Sequence, residues 1–304
     1  MRFSRVAPLL AALPTALAKP SQPPISNTTT LPTHWGLLVF PHFQALDVFG
    51  PIDVFNNLAM MYKNSTTMYL SVLSKTMEPV TTGMAGMAGG FEEKVVPTTT
   101  FKEYLSKKKH SPGPPVDGPP VEDCDDGAGG HAIAKRAMRF GARQEHSMPH
   151  DTMPSVPPKD LGDIEVLIVP GGGGTRSNVS EEIAFIKEMY PKVKYVLSIC
   201  TGATLLSRAG VLDGKKATTN KFSWAWASAQ GPNVTWVPTA RWVEDGNIIS
   251  SSGVSAGIDA AYALVSRIYS EPVADYLAKA AEYNREMDAH HDPFGKLWEV
   301  PGAT

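Results

Sequence analysis

Short apolar runs alternate with helix-spaced apolar residues through most of the chain, and this alternation restricts the fold more than any other feature. Residues 35–40 read as a buried strand, and Val48, Phe49, Val54, Phe55 and Leu58 then recur at helical spacing. Residues 69–73 and 164–169 form further strand runs. Ile183, Phe185, Ile186 and Met189 mark a helix before another apolar run at 193–199. Apolar strands separated by helices imply βαβ crossovers and a parallel sheet covered on both faces. The expected fold class is α/β, a mostly parallel sheet sandwiched by helices. Beyond Val211 the pattern is mixed, with β runs at 235–237 and 248–249 and helices at 258–269 and 272–285.

The 304 residues suit one large domain with appendages. Arg2 and Arg5 precede an apolar run over 6–18 that closes on Ala16-Leu17-Ala18, the layout of a secretory signal peptide. The run is too short to span a bilayer, and no later stretch approaches ~18 apolar residues, so no transmembrane anchor is expected. Asn27, Asn64, Asn178 and Asn233 each open an N-glycosylation tripeptide, which fits a secreted glycoprotein. Residues 19–33, rich in Pro, Ser and Thr, read as a flexible arm. Composition shifts again over about 102–159, through Lys107-Lys108-Lys109, Pro-Gly repeats and Asp123-Cys124-Asp125-Asp126. This segment is expected to be a disordered insertion within a domain spanning 34–285, followed by a tail at 286–304. Lys+Arg 28 against Asp+Glu 30 gives a net charge of −2, which offers nothing to a phosphate backbone, so nucleic acid is not an expected partner. Cys124 with His131, His146 and His150 matches no standard zinc spacing, and no metal is expected.

In open α/β sheets ligands bind beyond the carboxyl ends of the strands. Asp47, the glycine run Gly171 to Gly174, and Cys200 fall there. In Ser198-Ile199-Cys200-Thr201-Gly202-Ala203 an apolar strand ends at a cysteine and a helix starts at once, the logic of a nucleophile elbow with Cys in place of Ser. A cysteine at a helix start meets unpaired amides that favour its thiolate. Glycines at a strand end can turn N–H groups toward developing negative charge. No Gly-Lys-Ser/Thr follows them, so they are not a P-loop.

Five segments occur in order: Phe43-Gln44-Ala45-Leu46-Asp47-Val48-Phe49-Gly50-Pro51, Val169-Pro170-Gly171-Gly172, Ile199-Cys200-Thr201-Gly202-Ala203, Gly214-Lys215-Lys216-Ala217-Thr218-Thr219 and Ser255-Ala256-Gly257-Ile258-Asp259. Together they resemble the ThiJ/PfpI superfamily, with its flavodoxin-like, class I glutamine amidotransferase-like fold, over residues 34–101 and 160–285. The Leu-Asp-x-x-Gly-Pro and Cys-Thr-Gly pair looks most like the isocyanide hydratase branch. The resemblance implies Cys200 as nucleophile and Asp47 as the acid at its sulfur. It further implies the Gly172 and Thr201 amides, beside Gly171, as charge stabilisers, and the Thr201 side chain as a positioning group. The implied reaction is hydration of a small-molecule isonitrile to an N-formamide, a lyase activity without a metal or organic cofactor. A homodimer is implied as well.

Asn220 stands where many relatives have a histidine, and asparagine cannot act as a general base. Thr201 replaces the histidine that follows the cysteine in the peptidase-like branch, which disfavours proteolysis. His42, His290 and His291 have no evident link to the sulfur, and Asp259 reads as a helix cap. The residues after Arg285 leave no room for a helix-turn-helix. Two other readings remain open: glyoxalase- or deglycase-like activity on 2-oxoaldehydes, and a non-catalytic member whose Cys200 senses oxidants. Secretion sits uneasily with a reactive thiol. Protection by the pocket, a redox latch between Cys124 and Cys200, or an N-terminal apolar run that is not a signal peptide would resolve this.

Overall fold

A computed structural model describes residues 19–26, 30–83, 90–109 and 161–303. Its main sheet comprises β1 (His34–Leu38), β2 (Tyr69–Ser74), β3 (Thr99–Thr100), β4 (Val166–Val169), β5 (Tyr195–Ser198), β6 (Trp242–Asp245) and β7 (Ile248–Ser251). These lie in the order β6-β7-β5-β4-β1-β2-β3. All neighbours are parallel except the β6–β7 hairpin at the edge. The helices are α1 (Ala45–Met61), α2 (Phe101–Lys109), α3 (Ser180–Met189), α4 (Ala203–Arg208), α5 (Trp224–Ala229), α6 (Ala256–Tyr269), α7 (Glu271–Ala280) and α8 (Pro293–Leu297). Helices α1, α6 and α7 pack on one another, as do α2 to α5, so the sheet is flanked by helices as the sequence pattern implies.

Residues on both faces of the central strands are sealed: Leu37, Leu38, Leu167, Ile168 and Leu197 are all buried. This is why those strands read as continuous apolar runs rather than alternating ones. Each such side chain contributes about 1.5–3 kcal/mol of burial free energy. After β1 the chain moves outward through β2 and β3, then returns to β4 on the other side of β1. That reversal places a switch point between β1 and β4, the position beyond which open α/β sheets bind their ligands. Leu37 lies opposite Ile168 and Val169 opposite Ser198, so the loops after β1, β4 and β5 leave the sheet side by side.

Several boundaries differ from the sequence pattern. Part of the arm expected to be flexible lies against α1: Gln22 Nε2 donates to Met61 O at 2.8 Å, the Tyr62 hydroxyl donates to Pro23 O at 3.0 Å, and Leu31 packs on the core. The beginning of the expected insertion is helix α2, whose Phe101 stacks on Phe185 and whose Tyr104 hydroxyl accepts the Ile164 N–H at 2.8 Å. One apolar turn followed by three lysines is too short to show a period. The rest of the insertion, with Cys124, His131, His146 and His150, lies outside the described residues, as do the 1–18 segment and Asn27. Asn64, Asn178 and Asn233 are exposed. The last predicted helix stops at Ala280, and the tail folds back through α8, with Asp292 accepting the Phe294 N–H and Val300 buried. Among the described residues no helix is long and apolar enough to cross a membrane.

Candidate active site

Helix α1 starts against the glycine loop: Gln44 N donates to Gly171 O at 2.9 Å, and Phe43 forms a bridge with Gly172. This contact fixes the first helical turn, where Asp47 is fully buried. Gly50 and Pro51 do not form a turn; the helix runs through them, with Pro51 buried. Asp47 does not cap α1 either. Its Oδ2 accepts the Gly171 N–H at 2.9 Å, and its carboxyl faces the Cys200 thiol. A side chain at position 171 is excluded, because a Cβ there would come within 2.5 Å of Thr201 N and 2.9 Å of Asp47 Oδ2.

Strand β5 feeds the cysteine. Ile199 N donates to Val169 O at 3.0 Å, and Cys200 then takes φ 57°, a left-handed conformation that side chains other than glycine rarely adopt. Two bonds hold the strain. Cys200 N donates to Ser252 O at 3.1 Å, and the Thr219 hydroxyl donates to Cys200 O at 3.0 Å. A 3₁₀ turn over Cys200–Gly202 leads into α4. Gly202 passes so close to β4 that a Cβ would sit 2.3 Å from Val169 O. The expected nucleophile elbow is present.

The glycine amides serve the protein itself. Gly171 N–H is taken by Asp47, and Gly172 N–H donates to Thr201 Oγ1 at 3.0 Å. The Thr201 oxygen also accepts the Thr175 hydroxyl at 3.2 Å. The glycine run expected to receive negative charge from a substrate therefore positions the acid and locks the threonine. Two donors do reach the sulfur, the Thr201 backbone N–H and the Asn220 side chain. Asn220 Oδ1 accepts the Ser223 N–H at 2.8 Å, which turns its NH₂ group toward the thiol. Among the described residues no histidine faces Cys200: His42 bonds Gly83 O, His290 is exposed, and His291 pairs with Glu286.

The protonation balance reverses the expectation of a resting thiolate. Burial pushes the Asp47 carboxyl from 3.8 up to about 7, against the opposing bond from Gly171. Burial, then the adjacent Asp47 charge, raise the Cys200 thiol well above its ordinary value, and the Thr201 and Asn220 donors offset only part of this. The helix start and its amides are outweighed by desolvation. Near neutral pH the two groups hold one or two protons between them, so one group can abstract what the other releases. Asp259, expected to cap α6, instead pairs with Arg241 at 2.7 Å and accepts the Tyr283 hydroxyl at 3.0 Å; Ser255 occupies the cap. Among the described residues no cluster of side chains is arranged to hold a metal, and Cys200 is a free thiol.

A strained cysteine at a strand end, faced by a buried carboxyl at the switch point of a parallel sheet, defines a nucleophile-elbow α/β protein. Residues 141–267 match the DJ-1/PfpI family. The isonitrile hydratase of Pseudomonas putida is 28% identical over 251 residues, 82% of this chain and 77% of that protein. A ThiJ/PfpI family protein from Pseudomonas syringae shares the fold with a TM-score of 0.55 at 24% identity, covering 90% of this chain and 84% of that one. An AraC family transcriptional regulator from Pseudomonas putida also shares the fold, with a TM-score of 0.55 at 16% identity over 82% of this chain and all of that one. Residues 141–267 thus carry a DJ-1/PfpI (ThiJ/PfpI) family domain.

Proposed function

We propose that this protein hydrates isonitriles to N-formamides through a covalent intermediate on Cys200. The observation that carries the proposal is the buried Asp47–Cys200 pair, which can hold a single mobile proton near pH 7. The isonitrile carbon accepts the sulfur electron pair while the Asp47 carboxylate takes the thiol proton. Asp47 then delivers that proton to the same carbon, giving an S-bound thioimidate, R–N=CH–S. Water adds its oxygen to this carbon and one proton to the nitrogen; the C–S bond then breaks, and the second proton of the water passes through Asp47 to the sulfur as R–NH–CHO leaves. The Thr201 N–H and the Asn220 amide stabilise negative charge on sulfur as it attacks and as it departs. Locked by Gly172 and Thr175, the Thr201 hydroxyl holds the elbow in place rather than exchanging protons.

Wild type, Cys200→Ala and Asp47→Asn assayed on phenyl isonitrile and on methylglyoxal test the proposal. Formamide production by wild type alone, with no turnover of methylglyoxal, is expected. Equal rates in all three proteins, or turnover of methylglyoxal only, would overturn it. We also propose that the chain acts as a homodimer, its half-exposed Leu46 and Phe49 on α1 supplying an apolar face beside Ile258 of α6. Export is a further proposal, supported by the exposed acceptor asparagines. The 5% exposure of Cys200 and its raised pKa would protect the thiol in an oxidising compartment.

A further inference from the structure

Cys200 is bracketed by Asn220, whose amide meets its sulfur, and by Ser252, whose carbonyl takes its N–H. Both residues also line a separate pocket of about 180 Å³. Its outer wall is aromatic: Phe222 and Trp298 meet edge to face with ring centroids 4.8 Å apart, and Phe294 stands with them. Phe222 is 72% exposed and Trp298 50%, so these large apolar side chains face outward without being buried in a core. The C-terminal segment carrying Phe294 and Trp298 is not a loose end. Its Asp292 is sealed against the equally buried Lys221, at 3.6 Å, and Lys221 is the neighbour of both Asn220 and Phe222 in the chain. The ion pair thus fixes the tail to the same segment that carries the thiol's amide donor.

Resting on the hydratase reading, we propose that this pocket receives the substituent of the isonitrile and that Phe222 and Trp298 set substrate preference for a group about the size of one ring. An apolar cavity of roughly 150 Å³ suffices to bind benzene, so the space here matches a phenyl or a compact branched alkyl group. Asn220 and Ser252, which contact Cys200 and also line the pocket, are the residues past which the isonitrile carbon would reach the sulfur. Phe222 and Trp298 are specificity residues, and Lys221 with Asp292 positions them.

The test compares Phe222→Ala and Trp298→Ala with wild type on phenyl and methyl isonitrile, and separately measures calorimetric binding of N-phenylformamide to Cys200→Ala with and without those changes. A KM for phenyl isonitrile raised about tenfold or more, with methyl isonitrile kinetics unchanged and kcat preserved, is the expected result. Equal effects on both substrates, or none on either, overturn the pocket assignment while leaving the hydratase reading intact. If wild type turns over neither isonitrile, binding of N-phenylformamide that is lost in the aromatic variants upholds the pocket and removes the hydratase reading. Absence of both turnover and binding overturns both.

Discussion

Replacing Asp47 by asparagine removes a charge that the fold buries at a cost. The carboxyl is fully buried, and its pKa rises from 3.8 to about 7. That difference corresponds to about 4 kcal/mol between the two protonation states, as an order of magnitude. Its sign follows from linkage: the folded chain binds this proton more tightly than the unfolded one. Wild type carries no penalty below about pH 4, loses stability as pH rises, and loses no more from this group above about pH 7. Asparagine is neutral throughout and can still accept the Gly171 N–H through its own oxygen. Asp47→Asn should therefore match wild type near pH 4 and exceed it by up to about 4 kcal/mol at pH 8, a Tm gain of roughly 10 °C for a domain of this size. Denaturant titrations of both proteins at the two pH values measure it, and catalysis should be lost in the variant at both. A stability difference independent of pH, or a less stable variant at pH 8, would refute the burial reasoning.

Isonitrile turnover by wild type should rise with pH through about 7, as the pair loses its second proton, and a flat profile between pH 5.5 and 8.5 would count against Asp47 as the proton carrier. Gly171→Ala should abolish turnover and cost about 1–3 kcal/mol of stability, because the added methyl collides with Thr201 N and Asp47 Oδ2; an active variant of wild-type stability would contradict that contact. Lys221→Ala leaves Asp292 buried without its partner and should cost about 3–5 kcal/mol, whereas Lys221→Met combined with Asp292→Leu should recover most of it, both read by denaturant titration. The natural protein's intact mass should show loss of residues 1–18 and added sugar at exposed asparagines; an unmodified full-length mass would remove the export proposal.

The layered fold was legible because the central strands are buried on both faces and so appear as unbroken apolar runs. Asp47 and Cys200 were legible for a related reason: each follows such a strand, and the three strand ends lie level at the switch point. Helix α2 was hidden by its brevity and its lysines, and the ordered tail by an anchor made of two charges rather than apolar residues. The role of the glycine run depended on which acceptor each amide found, and spacing cannot give that. Asn220 was visible only as the absence of a histidine. Its contact with the sulfur depends on Ser223 turning its amide, a geometry that composition does not encode. The expected thiolate failed because helix-start amides are local in sequence, whereas the desolvation that outweighs them comes from elements far apart in the chain.

The most direct measurement is mass spectrometry of the acid-quenched protein during turnover of phenyl isonitrile. A peptide containing Cys200 that gains the mass of one whole substrate molecule, absent from Cys200→Ala, is the expected result, since the thioimidate forms by addition with nothing lost. Steady formamide production with Cys200 unmodified at every quench time, or in the Cys200→Ala protein, would contradict the account.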